Sequence, residues 1–177
     1  LLRRIDYGDH DLIVTLFTFN GGKISAIAKS AKKSTKRFSG VLEIFSVLNV
    51  VYRTSQRKGL PVLQAAALKH PFQHIRGDIK KTAYASYWAE LINQWLEEGE
   101  KQIQLYLLFQ QVLDKLDQDH LPEETLSILF QMRFMKLSGF YPNLEHCSVC
   151  RTGMEKMRKN RITFDLVKGG LICEKCT

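Results

Sequence analysis

The chain has 177 residues, 45% of them apolar and 25% charged, which is the balance of an ordinary folded protein and excludes a disordered one. Its apolar runs stay far below the roughly 18 residues that a membrane-crossing helix needs, and no charged leader followed by an apolar stretch opens it, so a cytoplasmic protein without membrane association is expected. The net charge of +8 is concentrated in one place, since Lys23 to Lys58 holds nine Lys or Arg against the single acid Glu43, and such asymmetry points to a polyanionic partner. Leu1 to Asp6 opens as a short strand. Leu12 to Phe19 is rich in β-branched and aromatic residues and ends at Asn20-Gly21-Gly22, a strong hairpin signal, with Lys23 to Lys29 as the return strand. A polar basic loop runs from Ser30 to Ser39. Val41 to Tyr52 and Leu60 to Leu68 then read as strands on either side of a second basic turn, Arg53 to Gly59. About five strands of this size predict a meander that closes, wholly or in part, into a small barrel over residues 1–69, because closure removes exposed edges.

Helical spacing takes over in residues 70–142. Tyr84, Tyr87, Trp88, Leu91, Ile92, Trp95 and Leu96 share one stripe, which Asp78 would cap and Gly99 would stop; core packing explains such a stripe better than base stacking. A second helix is predicted from about Gln102 to Leu116, with Tyr106, Phe109, Val112, Leu113 and Leu116 on its buried face. Pro122 fits the first position of a third helix, Glu123 and Glu124 suit the positive end of its dipole, and Leu126, Leu129, Phe130 and Leu137 precede Gly139.

All four cysteines fall in residues 143–177, as Cys147-Ser-Val-Cys150 and Cys173-Glu-Lys-Cys176. Each pair makes a tight turn that brings two thiolates to one metal, so two pairs complete a tetrahedron of sulfur around one structural Zn²⁺. Disulfides or an iron–sulfur centre are the alternatives. His146, beside Cys147, is redundant as a ligand next to four thiolates. Ile162 to Leu166 and Leu171-Ile172 read as the hairpin carrying the second pair, which makes the segment a zinc ribbon.

Constellations that carry catalysis are missing from the sequence. Gly21-Gly22-Lys23 lacks the spacing and the hydroxyl residue of a phosphate-binding loop, and the five histidines form no ligand or triad spacing, so no enzyme is expected. Asp6, Asp9 and Asp11 read as a polar turn between strands rather than a Mg²⁺ site. The basic segment Lys29 to Phe38 puts five cations in ten residues with hydroxyl spacers. Its cations would neutralise phosphates and release counterions, while Phe38 and Tyr52 are candidates for stacking unpaired bases, with Phe38 read nearly as well as a core anchor at the start of the next strand. The candidate binding set is Lys23, Lys29, Lys32, Lys33, Lys36, Arg37, Phe38, Arg53, Arg57 and Lys58. Five phosphates engaged on a single strand would give a log K against log[salt] slope of about −3.5, with little sequence preference.

Tyr7-Gly-Asp-His-Asp-Leu-Ile-Val-Thr-Leu-Phe-Thr18, Gly22-Lys-Ile-Ser-Ala-Ile-Ala-Lys29 and Lys36-Arg-Phe-Ser-Gly-Val-Leu-Glu43 closely resemble the N-terminal domain of the RecO family of bacterial recombination mediators. A helical region, then Ser138-Gly-Phe-Tyr-Pro142, then the first cysteine pair follow in the family's order. The resemblance implies an OB-fold barrel, a helical domain and a zinc ribbon, in an α+β protein of the bacterial nucleoid. It further implies binding of single- and double-stranded DNA, annealing of complementary strands, and help to RecA in displacing the single-strand-binding protein SSB together with RecR, without ATP hydrolysis. Family members usually continue beyond the second cysteine pair with helical sequence that completes the helical domain. The competing reading is a zinc-ribbon, OB-containing accessory factor of transcription or translation.

Overall fold

A computed structural model describes residues 1–54, 59–158 and 161–177, so Arg57 and Lys58 of the candidate set lie outside the described residues. The chain is a mixed α+β protein with two compact units, Leu1–Phe130 and Gln131–Thr177.

Five strands of the first unit form one sheet: β1 (Arg3–Tyr7), β2 (Asp11–Thr18), β3 (Gly22–Ala28), β4 (Val47–Arg53) and β5 (Val62–His70). β2 and β3 make the hairpin that Asn20-Gly21-Gly22 announces, with Thr18 pairing Gly22. Thr18 Oγ1 fastens the turn by accepting from Gly21 N and donating to Gly22 O, both at 2.9 Å. Period-two burial follows from the sequence, with Gly22, Ile24, Ala26 and Ala28 all buried along β3.

The strand order is β1-β2-β3-β5-β4, which corrects the expected meander. A meander would seat β4 beside β3, whereas here β3 pairs in parallel with β5, through Ile27 and Val62. The cause lies in the connection before β4. Phe38, Leu42 and Phe45 are 1%, 3% and 2% exposed, so this stretch lies against apolar residues instead of turning straight back. It also consumes Val41 to Ser46, which the residue pattern assigns to a strand; Phe45 sits at φ +69° and β4 begins only at Val47. No strand ladder joins β1 to β4 among the described residues, so the sheet is open there, and of the whole or partial closure expected, the whole one is not formed. Two backbone bonds at Leu1 span the gap: its amine donates to Ser46 O at 2.8 Å, and Phe45 N donates to its carbonyl at 2.9 Å.

Four helices follow: α1 (Gln73–Gly77), α2 (Ile79–Trp95), α3 (Ile103–Asp117) and α4 (Glu123–Leu137). Asp78 caps α2 as expected, its carboxylate accepting from Lys80 N at 2.8 Å and Lys81 N at 3.0 Å. The buried face of α2 is Ala85, Trp88, Ala89 and Ile92, while Tyr87 and Trp95 of the predicted stripe are exposed. Trp88 packs on Phe130 with ring centroids 5.5 Å apart, and its indole N–H donates to Ser127 Oγ. α2 stops at Trp95, before Gly99. In α4, Leu126 and Phe130 are buried as the spacing predicts, but Leu129 and Leu137 are largely exposed.

The α2–α3 connection is sewn to β3. Gly99 N donates to Lys23 O at 2.8 Å, and the Glu98 carboxylate accepts from Ser25 N and Ser25 Oγ at 3.1 and 2.6 Å. β5 pairs with β3 at Ile27, so this connection lies along the earlier part of the strand, with Glu98 bridging Lys23. In the second unit, β6 (Ile162–Asp165) and β7 (Gly170–Cys173) form the expected hairpin.

Candidate nucleic-acid interface and metal centre

The basic loop between β3 and β4 is held in place at both ends. At its start, Ser30 takes the left-handed φ of +54°, and its N–H donates to the Asp11 carboxylate at 2.7 Å. Lys32 N donates to His10 O at 3.1 Å, and Lys32 Nζ lies 2.9 Å from the Asp6 carboxylate. The acidic residues near the N-terminus thus clamp the loop, which is a concrete role for what the sequence showed only as a polar turn. Further along, Phe38 is buried in the sheet's core and Ala66 N of β5 donates to Arg37 O at 3.1 Å. Between these anchors Ser30, Lys33, Ser34, Thr35, Lys36 and Arg37 line one shallow open depression, a surface of cations and hydroxyls.

The candidate residues separate by what they touch. Lys29, Lys33, Lys36 and Arg53 are exposed and make no ion pair among the described residues. Arg37 is exposed as well; its guanidinium donates to Lys29 O at 2.7 Å and lies 5.1 Å above the Phe38 ring, with no carboxylate paired to it among the described residues. Lys32 is neutralised by Asp6. Lys23 is half-buried on β3 and donates to Asn93 O at 2.8 Å, so it ties the sheet to α2. Phe38 is 1% exposed, which corrects its candidacy as a stacking ring: its face is already covered by the core. Tyr52 is half-buried against the same core. Sequence reasoning missed Asp6 and Asp11 as positioning groups, since nothing in a Tyr7-Gly-Asp-His-Asp11 turn says which loop it faces.

The four cysteines converge. Their Sγ atoms lie within 4.8 Å of one another, and Cys150 Sγ is 3.6 Å from Cys173 Sγ. A tetrahedron with metal–sulfur bonds of about 2.3 Å has edges of about 3.8 Å, so the cluster has the size for one ion. No S–S bond joins them in this arrangement, the Cys150 and Cys173 sulfurs standing 3.6 Å apart where a disulfide bond is about 2.05 Å. The knuckles are built by backbone bonds: Arg151 N donates to Cys147 O at 3.0 Å, and Cys176 N to Cys173 O at 2.9 Å. Asn143, which the sequence did not single out, joins the two knuckles. It accepts from Leu171 N at 3.0 Å, donates its own N–H to Gly169 O at 2.9 Å, and sends its amide to His146 O and Ser148 Oγ. His146 stays outside the sulfur cluster, its Nε2 lying 2.8 Å from an Arg151 guanidinium nitrogen.

Electrostatics favour a cation at this centre. The backbone N–H groups of Cys150 and Cys173 pull the Cys147 thiol down to about 6, and the Thr152 hydroxyl lowers Cys150. Cys176, crowded by the sulfurs of Cys150 and Cys173, is pushed up to about 12. Four thiolates this close repel one another unless a positive ion sits among them, and soft sulfur donors suit a soft or borderline metal.

Comparison with known proteins covers the whole chain. Residues 1–72 match the family model described as "Recombination protein O N terminal", and residues 76–177 match "Recombination protein O C terminal". A DNA repair protein RecO from Desulfatibacillum aliphaticivorans is 45% identical over 177 residues, covering 99% of this chain and 69% of that protein. Another from Desulfosudis oleivorans is 42% identical over 178 residues, with 99% and 68% covered. One from Syntrophus aciditrophicus is 34% identical over 176 residues, with 99% and 67% covered.

Proposed function

The chain belongs to the RecO family of DNA repair proteins, and from that premise we propose that it binds single- and double-stranded DNA, anneals complementary strands, and assists RecA loading with RecR at SSB-coated DNA. The observation that carries this reading is the clamped basic loop, where Lys33, Lys36 and Arg37 line a hydroxyl-bearing depression and, with the neighbouring Lys29, have no carboxylate partner among the described residues. Charged nitrogens and hydroxyls of this kind hold phosphates and ignore base identity. Arg53, exposed at the end of β4, is a further candidate cation. The protein acts by binding and not by catalysis, in the cytoplasm at the nucleoid. Family membership favours this role over an accessory factor of transcription or translation.

The cysteine centre takes one structural Zn²⁺ in the same reading. Cys147, Cys150, Cys173 and Cys176 fill a four-coordinate site, which leaves no position open for substrate. The ion would hold the two knuckles of a ribbon whose buried apolar cluster is small.

An annealing assay with complementary oligonucleotides tests the function. The protein is expected to accelerate pairing without ATP, and Lys33→Ala/Lys36→Ala is expected to slow it while weakening binding equally across sequences. No acceleration over the spontaneous rate at saturating protein would refute the annealing role. Elemental analysis of protein purified without chelator, reading one zinc per chain and no iron, supports the metal assignment. Less than half an equivalent would reject it.

A further inference from the structure

The tip of the β6–β7 hairpin exposes two aliphatic side chains almost completely, Leu166 at 87% and Val167 at 97%. Neither contributes to the ribbon's apolar cluster of Cys147, Met157, Ile172 and Cys173. The backbone beneath them is nevertheless tightly organised. The Asp165 carboxylate accepts from Val167 N at 2.8 Å and Lys168 N at 2.9 Å, closing an Asx turn. Gly169 follows at φ +62°, and at Gly170 a Cβ would meet Ser148 Oγ at 2.6 Å and Asn143 O at 2.7 Å. Asn143 therefore joins the hairpin to the first knuckle, so the metal centre and the tip share one frame. A small ordered projection ending in bare aliphatics is built for contact.

Its setting says what it contacts. Residues Gln131–Thr177 hold nine Lys or Arg against four Asp or Glu, a net of +5. Four thiolates around a divalent ion lower this by two charges and leave it positive. Two of the four acids are already engaged, Asp165 with the tip backbone and Glu174 with Arg161. Lys168, directly after Val167, is exposed, as are Arg158 and Lys175. Apolar side chains on a cationic body are the elements with which proteins enter the DNA base stack: cations hold the phosphates while the aliphatic side chain separates a base step. A protein partner's groove would be served as well by a neutral or acidic hairpin, so the surplus of cations favours DNA.

We propose that the Leu166-Val167 tip is a DNA wedge, which enters the base stack where paired and unpaired strands meet while Lys168 holds a flanking phosphate. This rests on the DNA-binding reading above and adds a second contact, on a different unit from the basic loop. The test uses the zinc-loaded full chain and a forked oligonucleotide with 2-aminopurine at the first paired position, whose fluorescence rises when the base unstacks. Wild type at saturation is expected to raise it clearly above that of free DNA, because insertion unstacks the reporter base. Leu166→Ser/Val167→Ser is expected to bind the fork within about fivefold of wild type by anisotropy, yet leave the fluorescence near that of free DNA. Leu166→Met/Val167→Ile, which keeps the apolar tip, should retain the rise. Zinc content and melting midpoint of the serine variant should equal those of wild type, because neither side chain packs in the fold. The wedge is overturned if wild type binds without raising the fluorescence, or if the serine variant reproduces the full rise, as it would if the tip served a protein partner. Failure of wild type to bind at all would overturn the DNA-binding reading along with it.

Discussion

Substituting Asp6 by Asn should make the protein bind single-stranded DNA more tightly, and more steeply with falling salt. The Asp6 carboxylate lies 2.9 Å from Lys32 Nζ and competes with phosphate for that ammonium. With the pair intact, Lys29, Lys33, Lys36 and Arg37 are the loop cations without a carboxylate partner among the described residues. At about −0.7 per phosphate neutralised on a single strand, these give a log K against log[salt] slope of about −2.8, and release of Lys32 carries it to about −3.5. The increment of about 0.7 means that the advantage of the variant should shrink about 2.6-fold between 50 and 200 mM salt. An exposed ion pair is worth up to about 1 kcal/mol, so the gain at low salt should reach about fivefold at most. The loop should keep its shape, because Ser30 N still bonds Asp11 and Lys32 N still bonds His10 O. Fluorescence anisotropy with labelled oligo-dT across a salt series measures both quantities, and Lys32→Ala in the same background should erase the gain. Parallel salt lines for wild type and variant would refute the reasoning, as would weaker binding.

Other outcomes follow from the fold and the metal centre. Gly22→Ala should destabilise by about 3 kcal/mol or more, because left-handed strain is joined there by a backbone clash; the new Cβ would fall 2.1 Å from Glu100 O. Gly8→Ala, at φ +58° with nothing within 4 Å, meets strain alone and should cost about 1–2 kcal/mol by urea unfolding; equal losses would refute the clash. Asp78 is held below its ordinary 3.8 chiefly by the Lys81 N–H, so its stabilising effect is present above that pH and fades as pH falls through its lowered value. The melting midpoint of Asp78→Ala should therefore sit a few degrees below wild type near neutrality and converge with it in acid; a gap that widens on acidification would contradict this. Zinc binding to stripped protein should release protons at neutral pH, Cys176 among their sources, and a further one from Cys147 below about pH 6. Indicator-dye titration counts them, and a count that does not rise with acidity would be inconsistent with these ionisations.

What the sequence revealed and what it concealed differ in range. The Asn20-Gly21-Gly22 hairpin, the Asp78 cap and the paired cysteines were legible because each is decided within a few residues. Strand order was not, because the β3–β5 pairing depends on how 33 intervening residues between Ala28 and Val62 run, and period-two patterns say nothing of neighbours. The same limit hid the inward turn of Phe38, since an aromatic after a run of cations reads equally well as a stacking ring or as an anchor. Lys23 looked like one more surface cation until α2 supplied Asn93 O as its acceptor. Asn143 carried no sequence signal beyond following Pro142, and its role exists only once both knuckles are in place.

The burial of Phe38 changes what the basic loop can do, and it does so in a direction that suits annealing. Lys29 to Arg37 now offers ammonium, guanidinium and hydroxyl groups and no aromatic ring. A site that stacked bases would hold them away from their complements and would have to release each one before a pair could form. A site that binds through phosphates neutralises the repulsion between two strands and leaves every base edge free to pair. Phe38 serves that arrangement from inside: its ring, among Leu42, Leu63 and the strands beneath, fixes the loop's end without occupying its surface. Asp6 and Asp11 fix the start at the expense of one cation, Lys32. In the proposed DNA-binding reading the loop gives up affinity for position, and the Asp6→Asn salt series measures how much.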